Sequence, residues 1–277
     1  MANTLTIDNI VINRLGFGAM RVTGEGIWGP PKDHAEAIAV LKRARDLGVN
    51  FFDTADAYGP EVSENLIHEA LSPYEGLIIA TKGGMTRSGP NQWAPDGRPE
   101  HIREACDASL KRLGVDQITL YQFHRPDPSV PFATSLKTFF ELQKEGKIKH
   151  VGVSNVTADQ LKEAMELGSI VSVQNNYSVL NRTSEDVLRL CAQHGIAFIP
   201  YFPIGGNTGG LSEQVLDGIA EKHAATPRQI GLAWLLQHAA VMLPIPGTSS
   251  IAHLEENMKA ADIQLDPEDL AKLDALA

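Results

Sequence analysis

The chain has 277 residues, of which 43% are hydrophobic and 21% are charged, and its formal net charge at pH 7 is −10. This length and composition are typical of a globular protein with a full hydrophobic core, arranged as one large α/β domain or two smaller ones. The acidic balance argues against nucleic acid or an anionic membrane as the main partner, but it leaves room for an anionic cofactor that binds locally.

The N-terminus and the two cysteines bear on the cellular compartment. Residues 1–4 lack the positive and apolar regions of a secretory signal, and no later apolar run approaches the length of a membrane span. Cys106 and Cys191 fall on the apolar stripes of helix candidates, with no Cys/His metal spacing nearby. We therefore expect a cytoplasmic protein with two buried free thiols and no metal site.

The first predicted elements are a hairpin, a strand and a helix. Residues 4–14 alternate between apolar and polar around a short turn, which predicts a β-hairpin that closes one end of the fold. Residues 15–20 form an apolar strand candidate whose glycines permit close approach of the backbone. Asp33 and Glu36 have the spacing of a helix cap, and the helix that they begin is expected to end at Gly48.

The strand and helix pattern then repeats along the chain. Ser63 and Pro99 are expected to begin helices, and Gly114 to end the second of them. Seven further runs have the length and composition of strands: residues 50–54, 76–82, 118–123, 149–153, 170–173, 196–202 and 241–246.

About eight strand–helix repeats predict an α/β fold, a single (β/α)8 TIM barrel over residues 1–277 with the N-terminal β-hairpin closing one end. A doubly wound open sheet is the alternative, but the chain lacks the GxGxxG turn of dinucleotide-binding sheets.

Polar residues stand just past several predicted strands, and in a parallel barrel such positions line one face, where active sites are found. They are Asp53, Tyr58, Lys82, His124, Ser154, Asn155, Gln174, Tyr201 and the segment 247–257. A tyrosine is a good proton donor, a lysine ammonium beside it would lower its pKa, and an aspartate could hold that lysine charged. A histidine could orient the substrate oxygen or relay a proton. The set lacks a nucleophile, a metal cage and an electron source. We therefore expect a bound cofactor to supply the chemical reactivity that these side chains do not have.

The same residues lie in motifs by which the chain resembles the aldo-keto reductase superfamily over nearly its whole length. In chain order the motifs are Gly48-x4-Asp53-Thr54-Ala55-x2-Tyr58-Gly59, Lys82, His124, Gly152-x-Ser154-Asn155, Gln174-Asn175-x-Tyr177, Ile245-Pro246-Gly247-Thr248 and His253-Leu254-Glu255-Glu256-Asn257. The resemblance implies the reduction of an aldehyde or ketone by a nicotinamide cofactor. It makes Tyr58 the general acid, with Lys82 and Asp53 tuning it and His124 orienting the substrate.

The resemblance also implies how the cofactor binds. Its nicotinamide would stack on Tyr201, with the carboxamide bonded by Ser154, Asn155 and Gln174. The full set of expected cofactor contacts is Gly18, Met20, Arg21, Ser154, Asn155, Gln174, Tyr201, Phe202, Pro203, Ile204, Gly206, Gly247, Thr248, Ser249, His253, Glu256 and Asn257. The glycine-rich stretch 205–210 is either a flexible loop or a lid over the pyrophosphate.

The loop after the last strand bears on the choice of cofactor. In the family it often carries a lysine and an arginine for the 2′-phosphate of NADPH, and this chain has Gly247 and His253 there. Thr248, Ser249 and the N-terminus of the following helix could still hold a phosphate. We therefore expect NADPH, with NADH as the alternative.

The expected partner is a small carbonyl compound, not nucleic acid or a membrane, and the expected assembly is a monomer or a weak homo-oligomer. Segments 29–31, 201–206 and 245–248 look more like the bacterial branch that includes pyridoxal reductases than the steroid-reducing branch, which makes pyridoxal a candidate substrate. An aromatic pocket could be lined by Met20, Trp28, Trp93 and Phe202.

One alternative is a binding role, like that of the superfamily's channel-associated subunits. Another is a barrel hydrolase, for which the strand ends offer neither paired carboxylates nor a His-rich ligand set.

Overall fold

A computed structural model of the protein describes residues 4–7, 10–203 and 214–277. The strands are β1 (Thr4–Ile7), β2 (Ile10–Asn13), β3 (Phe17–Gly18), β4 (Phe51–Asp53), β5 (Ile78–Gly83), β6 (Met85–Gly89), β7 (Gln92–Pro95), β8 (Ile118–Phe123), β9 (Ile148–Ser154), β10 (Ile170–Asn176) and β11 (Ala197–Tyr201). The helices are α1 (His34–Asp46), α2 (Val62–Leu71), α3 (Pro99–Leu113), α4 (Phe132–Lys144), α5 (Ala158–Leu167), α6 (Glu185–His194), α7 (Gln214–Lys222), α8 (Pro227–His238), α9 (Ile251–Met258) and α10 (Pro267–Asp274).

Seven parallel strands form a curled sheet in the order β3, β4, β5, β8, β9, β10 and β11. The predicted eighth strand, residues 241–246, lies between the two edges of this sheet. On one side the Leu243 amide donates to the Phe198 carbonyl at 2.8 Å, and on the other the Gly16 amide donates to the Pro244 carbonyl at 2.9 Å. Because proline has no N–H, this segment cannot form a regular ladder. The predicted (β/α)8 fold is confirmed.

The closure of the sheet requires glycine at two positions. A Cβ atom at Gly18 would lie 2.8 Å from the Ile245 carbonyl oxygen, and one at Gly247 would lie 2.4 Å from the Gly18 carbonyl oxygen. Both distances are too short for a side chain, so the two backbones meet only because neither residue has one.

The core has two main parts, one between the sheet and the helices and one inside the sheet, and a small third cluster formed by Ile27, Ala55 and Tyr58. The inner part contains Ile7, Ile12, Phe51, Ile78, Ala80, Leu120, Ala197, Ile199, Leu243 and Ile245. Ile7 and Ile12 come from the antiparallel hairpin of β1 and β2. The hairpin thus packs against the inner side chains of the sheet, and its predicted position at one end of the fold is confirmed.

Several helix boundaries follow the predicted signals. Helix α3 begins with Pro99 and ends at Gly114, which has a left-handed φ of 66°. Asp33 caps α1 by accepting the Glu36 amide at 2.9 Å. Ser63 does not cap α2 as expected, because α2 begins at Val62 and the Ser63 hydroxyl is buried, donating to the Ala19 carbonyl at 3.1 Å.

Two further sequence expectations concern the thiols and the membrane. Cys106 and Cys191 are buried free thiols, as predicted, and burial raises the pKa of each to about 12. Within the three described ranges, no helix combines the length and the apolar character that crossing a bilayer demands.

Candidate active site

The alternation of side chains along the strands brings the predicted polar residues together. Phe51, Ile78 and Leu120 belong to the inner core, and side chains two residues apart on a strand point the same way. Asp53 on β4 and Lys82 on β5 therefore point into the barrel above the inner core. His124 directly follows β8, and its ring lies beside that of Tyr58 at a centroid distance of 5.9 Å.

Lys82 is the centre of the hydrogen-bonded cluster. Its ammonium donates to Asp53 Oδ2 at 2.6 Å, to the Thr54 carbonyl at 2.8 Å and to the Tyr58 hydroxyl at 3.3 Å. An ammonium has three donors, so these bonds use all of them. The Lys82 side chain is fully buried, and Asp53 is 2% exposed. A cation held this way has one fixed position relative to the phenol.

The second oxygen of the Asp53 carboxylate is held by two amides. Oδ1 accepts from Gln122 Nε2 at 3.2 Å and from Gln174 Nε2 at 2.7 Å. The Gln174 side chain, expected to bond the nicotinamide, thus donates its amide to Asp53, although it also lines the cavity described below. Buried charges are tolerated when they are paired and hydrogen-bonded, and Asp53 satisfies both conditions.

Burial and charge act in opposite directions on the two proton-bearing groups. Burial disfavours the Lys82 ammonium, but Asp53 and Tyr58 outweigh it, so the pKa of Lys82 is raised. Burial also raises the pKa of the Tyr58 phenol above its ordinary value. Lys82 lowers the pKa of Tyr58, as we expected, but burial raises that pKa by more, so the net shift is upward. Tyr58 is therefore a protonated phenol at neutral pH.

His124 is buried beside Tyr58 and carries no charge at neutral pH. Burial lowers the pKa of its imidazole well below the usual value, and the nearby cations Lys82, Arg125 and Arg87 lower it further. Its Nδ1 atom is buried and has no hydrogen-bond partner among the described residues. A neutral imidazole has one N–H donor, so His124 can offer a hydrogen bond without bringing a second cation to the site.

A cavity of about 630 Å³ opens above this cluster. Its wall includes thirteen of the predicted cofactor contacts: Gly18, Met20, Arg21, Ser154, Asn155, Gln174, Tyr201, Phe202, Pro203, Gly247, Thr248, Ser249 and His253. Ile204 and Gly206, and the whole stretch 205–210, lie outside the described residues.

Glu256 and Asn257 were also expected to contact the cofactor, but the described wall of the cavity does not include them. The Glu256 carboxylate accepts from the Thr226 hydroxyl at 2.9 Å, and its carbonyl accepts from Gln229 Nε2 at 2.8 Å. Asn257 is buried. These bonds join α9 to the start of α8 and direct the Glu256 side chain into that contact.

Asn155 connects three residues of the cavity wall: His124, Arg125 and Tyr201. Its side-chain amide donates to the His124 carbonyl at 3.0 Å, and its oxygen accepts from the Tyr201 hydroxyl at 2.7 Å and from Arg125 at 3.1 Å. Asn155 has a left-handed φ of 58°, a conformation that asparagine tolerates better than most residues. The Tyr201 ring, which we expected to hold the nicotinamide, is thus tied through Asn155 to the end of β8, where His124 lies.

The cavity wall also contains four residues that the sequence analysis did not place at the site: Met85, Pro95, Arg125 and Arg228. It contains Ile245 and Pro246 as well, which were quoted in a motif but not named as cofactor contacts. Arg125 could have been found, because it directly follows His124 at a strand end. Arg228 lies in the first turn of α8, where no strand-end rule applies. With Arg21, these arginines make the described wall strongly cationic, and Asp53 is its only carboxylate.

The chain matches known proteins over nearly its whole length. Residues 14–277 match the Aldo/keto reductase family. The chain is 53% identical to an uncharacterized oxidoreductase of Schizosaccharomyces pombe, over 99% of this chain and 89% of that protein. It is 42% identical to pyridoxine 4-dehydrogenase of Escherichia coli, over 100% of this chain and 99% of that protein. An aldo/keto reductase of Klebsiella pneumoniae crystallised with NADP and acetate superposes with a TM-score of 0.82 at 25% identity, covering 100% of this chain and 95% of that one. The chain therefore belongs to the aldo/keto reductase family.

Proposed function

We propose that the protein reduces an aldehyde or ketone to an alcohol, with NADPH as the hydride donor and Tyr58 as the general acid. The observation that carries the proposal is the buried Tyr58 hydroxyl, 3.3 Å from the Lys82 ammonium, in the wall of a cavity of about 630 Å³. A cavity of this size is within the range of small-molecule sites. The similarity to a protein named pyridoxine 4-dehydrogenase supports the same class of reaction.

The charges of the cavity fit an anionic dinucleotide. The whole chain carries a net charge of −10, but Arg21, Arg125 and Arg228 line this cavity. Thr248 and Ser249 add short polar side chains, and guanidinium groups bind phosphates well. When bound, the cofactor supplies the hydride that is transferred to the carbonyl carbon. The neighbour crystallised with NADP supports the same choice here.

Tyr58 provides the proton for the carbonyl oxygen. With a cofactor bound, the Tyr58 hydroxyl would give its proton to the substrate oxygen as negative charge develops there, so that the Tyr58 O–H bond breaks and the alcohol is completed. The phenolate left on Tyr58 is stabilised by the Lys82 ammonium, and Asp53 keeps that ammonium charged and in place. A well-placed general acid typically contributes about 10²–10⁴ in rate.

His124 positions the substrate in this scheme. Its ring stands almost perpendicular to the Tyr58 ring, at 85°, so both side chains border the same part of the cavity. The neutral imidazole can donate an N–H to the carbonyl oxygen, and such positioning lowers the entropy cost of the reaction. Because His124 is uncharged at neutral pH, Tyr58 remains the proton donor.

Pyridoxal is the candidate substrate. Its support is the 42% identity to the E. coli protein named pyridoxine 4-dehydrogenase, together with the aromatic rings beside Tyr58. Of the four residues expected to form an aromatic pocket, Met20, Trp93 and Phe202 line the cavity. The described cavity wall does not include Trp28.

The test is the oxidation of NADPH, followed at about 340 nm, with pyridoxal, simple aromatic aldehydes and aliphatic aldehydes. We expect turnover by the wild type and a loss of roughly 10²–10⁴ in kcat for Tyr58→Phe, with unchanged NADPH affinity. Tyr121→Phe is the matched control, since the Tyr121 hydroxyl is buried without a hydrogen-bond partner among the described residues. Tight NADPH binding without turnover of any aldehyde or ketone would contradict the proposal and indicate a binding role.

A further inference from the structure

The hairpin of β6 and β7 covers the catalytic cluster with one of its faces. Arg87 and Trp93 are directly opposite each other across this antiparallel pair, as are Met85 and Pro95. Opposite residues point to the same face of a sheet, and so do residues two apart on one strand. Met85, Trp93 and Pro95 all line the cavity. One face of the hairpin is therefore part of the cavity wall.

Trp93 contacts both residues that would handle the carbonyl oxygen. The centroid of its ring lies 6.2 Å from that of Tyr58 and 6.4 Å from that of His124, both in edge-to-face arrangements. The residue is nevertheless 36% exposed, which is unusual for so large an apolar side chain. An indole beside the proton donor, with open area in the cavity, is a surface on which a flat ring can stack.

Arg87 covers the indole of Trp93 and has no donors left for a ligand. Its guanidinium carbon lies 3.6 Å from the centroid of the Trp93 ring. Its donors are taken by backbone carbonyls, those of Gly26, Ile27, Ala57, Gly89 and Gln92, at 2.8 to 3.3 Å. A guanidinium has five N–H groups, so all of them are used.

The carbonyls that hold Arg87 come from three separate parts of the chain. Gly89 and Gln92 belong to the hairpin itself, Gly26 and Ile27 to the loop before α1, and Ala57 to the turn that carries Tyr58. Arg87 therefore fixes the hairpin relative to the catalytic tyrosine. A lysine could not replace it, because an ammonium has three donors and no planar fork.

We propose that Trp93 is a specificity-determining residue that favours flat aromatic carbonyl substrates, and that Arg87 is the positioning residue that holds its ring beside Tyr58. This inference rests on the proposed reductase function. It adds the part of the protein that recognises the substrate ring, and it does not depend on pyridoxal being the natural substrate.

The test compares benzaldehyde with cyclohexanecarbaldehyde, which has the same number of ring carbons but is not flat. We expect Trp93→Leu to raise KM for benzaldehyde roughly tenfold, because a tenfold change corresponds to the free energy of about one aromatic stacking contact. KM for cyclohexanecarbaldehyde and the NADPH dissociation constant should change by less than about twofold, because leucine keeps an apolar surface. Trp93→Phe should restore most of the preference.

The role of Arg87 is tested by a double-mutant cycle. Arg87→Met and Arg87→Lys should each lower the preference for benzaldehyde, and Arg87→Met should add nothing in the Trp93→Leu background, since both act through one ring. Arg189→Met is the matched control, because Arg189 pairs with Glu185 on the outer helix α6. Additive effects of Arg87→Met and Trp93→Leu would overturn the positioning role.

Two outcomes separate this inference from the proposed function. If the wild type reduces both aldehydes and Trp93→Leu leaves their KM ratio unchanged, the inference is wrong and the reductase function stands. If the wild type reduces neither aldehyde, nor any other carbonyl compound, the proposed function fails and the inference fails with it. Because Trp93 lies on a partly exposed hairpin, its variants test the idea even if Arg87 variants do not fold.

Discussion

The charged side chains at the inner end of the cavity are buried and paired, whereas those at its rim are at least partly exposed and mostly unpaired within the described residues. At the inner end, formed by Asp53, Tyr58, Lys82 and His124, the ammonium is fully buried and each of its donors has a partner. At the rim, formed by Arg21, Arg125 and Arg228, the side chains are partly or largely exposed. Arg21 and Arg228 form no ion pair with another described residue.

This contrast separates two tasks. A buried, fully bonded cluster is already organised for the charge that develops during the reaction, so it needs no rearrangement when substrate binds. Exposed cations that lack acidic partners remain available to an anionic ligand, and water screens their mutual repulsion in its absence. The inner end thus suits proton transfer, and the rim suits the binding of phosphate groups.

The loss of a charge at the inner end should have a large effect on stability. Asp53→Asn leaves the buried Lys82 ammonium without its counterion, which should lower the free energy of unfolding by about 3–5 kcal/mol. The control is Asp107→Asn, because Asp107 also lies 2.6 Å from a lysine, Lys147, but in a half-exposed pair. Exposed pairs contribute about 0–1 kcal/mol. Urea unfolding of both variants measures the difference, and equal losses would contradict the distinction.

The second prediction concerns the pH dependence of stability at the inner end. The pKa of His124 lies well below its ordinary value in the folded protein, so below about pH 6.5 the unfolded chain binds a proton that the folded one does not. Its contribution to stability is therefore complete above that pH and is lost as the pH falls, by up to about 1.4 kcal/mol per unit. Urea unfolding from pH 7.5 to 5 should show a shallower decline for His124→Gln than for the wild type. Parallel curves would mean that His124 titrates normally in the fold.

The inner end was accessible from the sequence for a definite physical reason. Each of its residues falls at or just past a hydrophobic run of strand length, and the ends of parallel strands in a barrel converge on one face. The alternation of side chains then fixes the direction of Asp53 and Lys82 once Phe51 and Ile78 are placed inside. Local pattern and global topology point to the same positions.

The hairpin of β6 and β7 shows where sequence reasoning stops. Its strands have little apolar alternation, and the signal that remains is the turn at Pro90 and Asn91, where Asn91 has a left-handed φ of 57°. What holds the hairpin is Arg87, which donates to carbonyls about 30 and 60 residues away in the sequence. No local pattern predicts such contacts. The pKa of Tyr58 likewise could not be predicted without the fold, because it depends on how deeply Tyr58 is buried. The sequence motif does not show that burial.

The third prediction concerns the rim and has the smallest expected effect. Arg228→Ala removes an exposed cation from the cavity wall that also contains Thr248, Ser249 and His253. It should raise the dissociation constant of NADPH about fivefold, or ~1 kcal/mol, because an exposed contact is screened by water. Fluorescence titration with NADPH and NADH identifies the phosphate involved: a loss for NADPH alone assigns Arg228 to the 2′-phosphate, and an equal loss for both assigns it to the pyrophosphate. Arg189→Ala is the control. Unchanged affinity for both cofactors would mean that the exposed cations of the rim do not bind the cofactor, and the division between a catalytic inner end and a phosphate-binding rim would lose its second half.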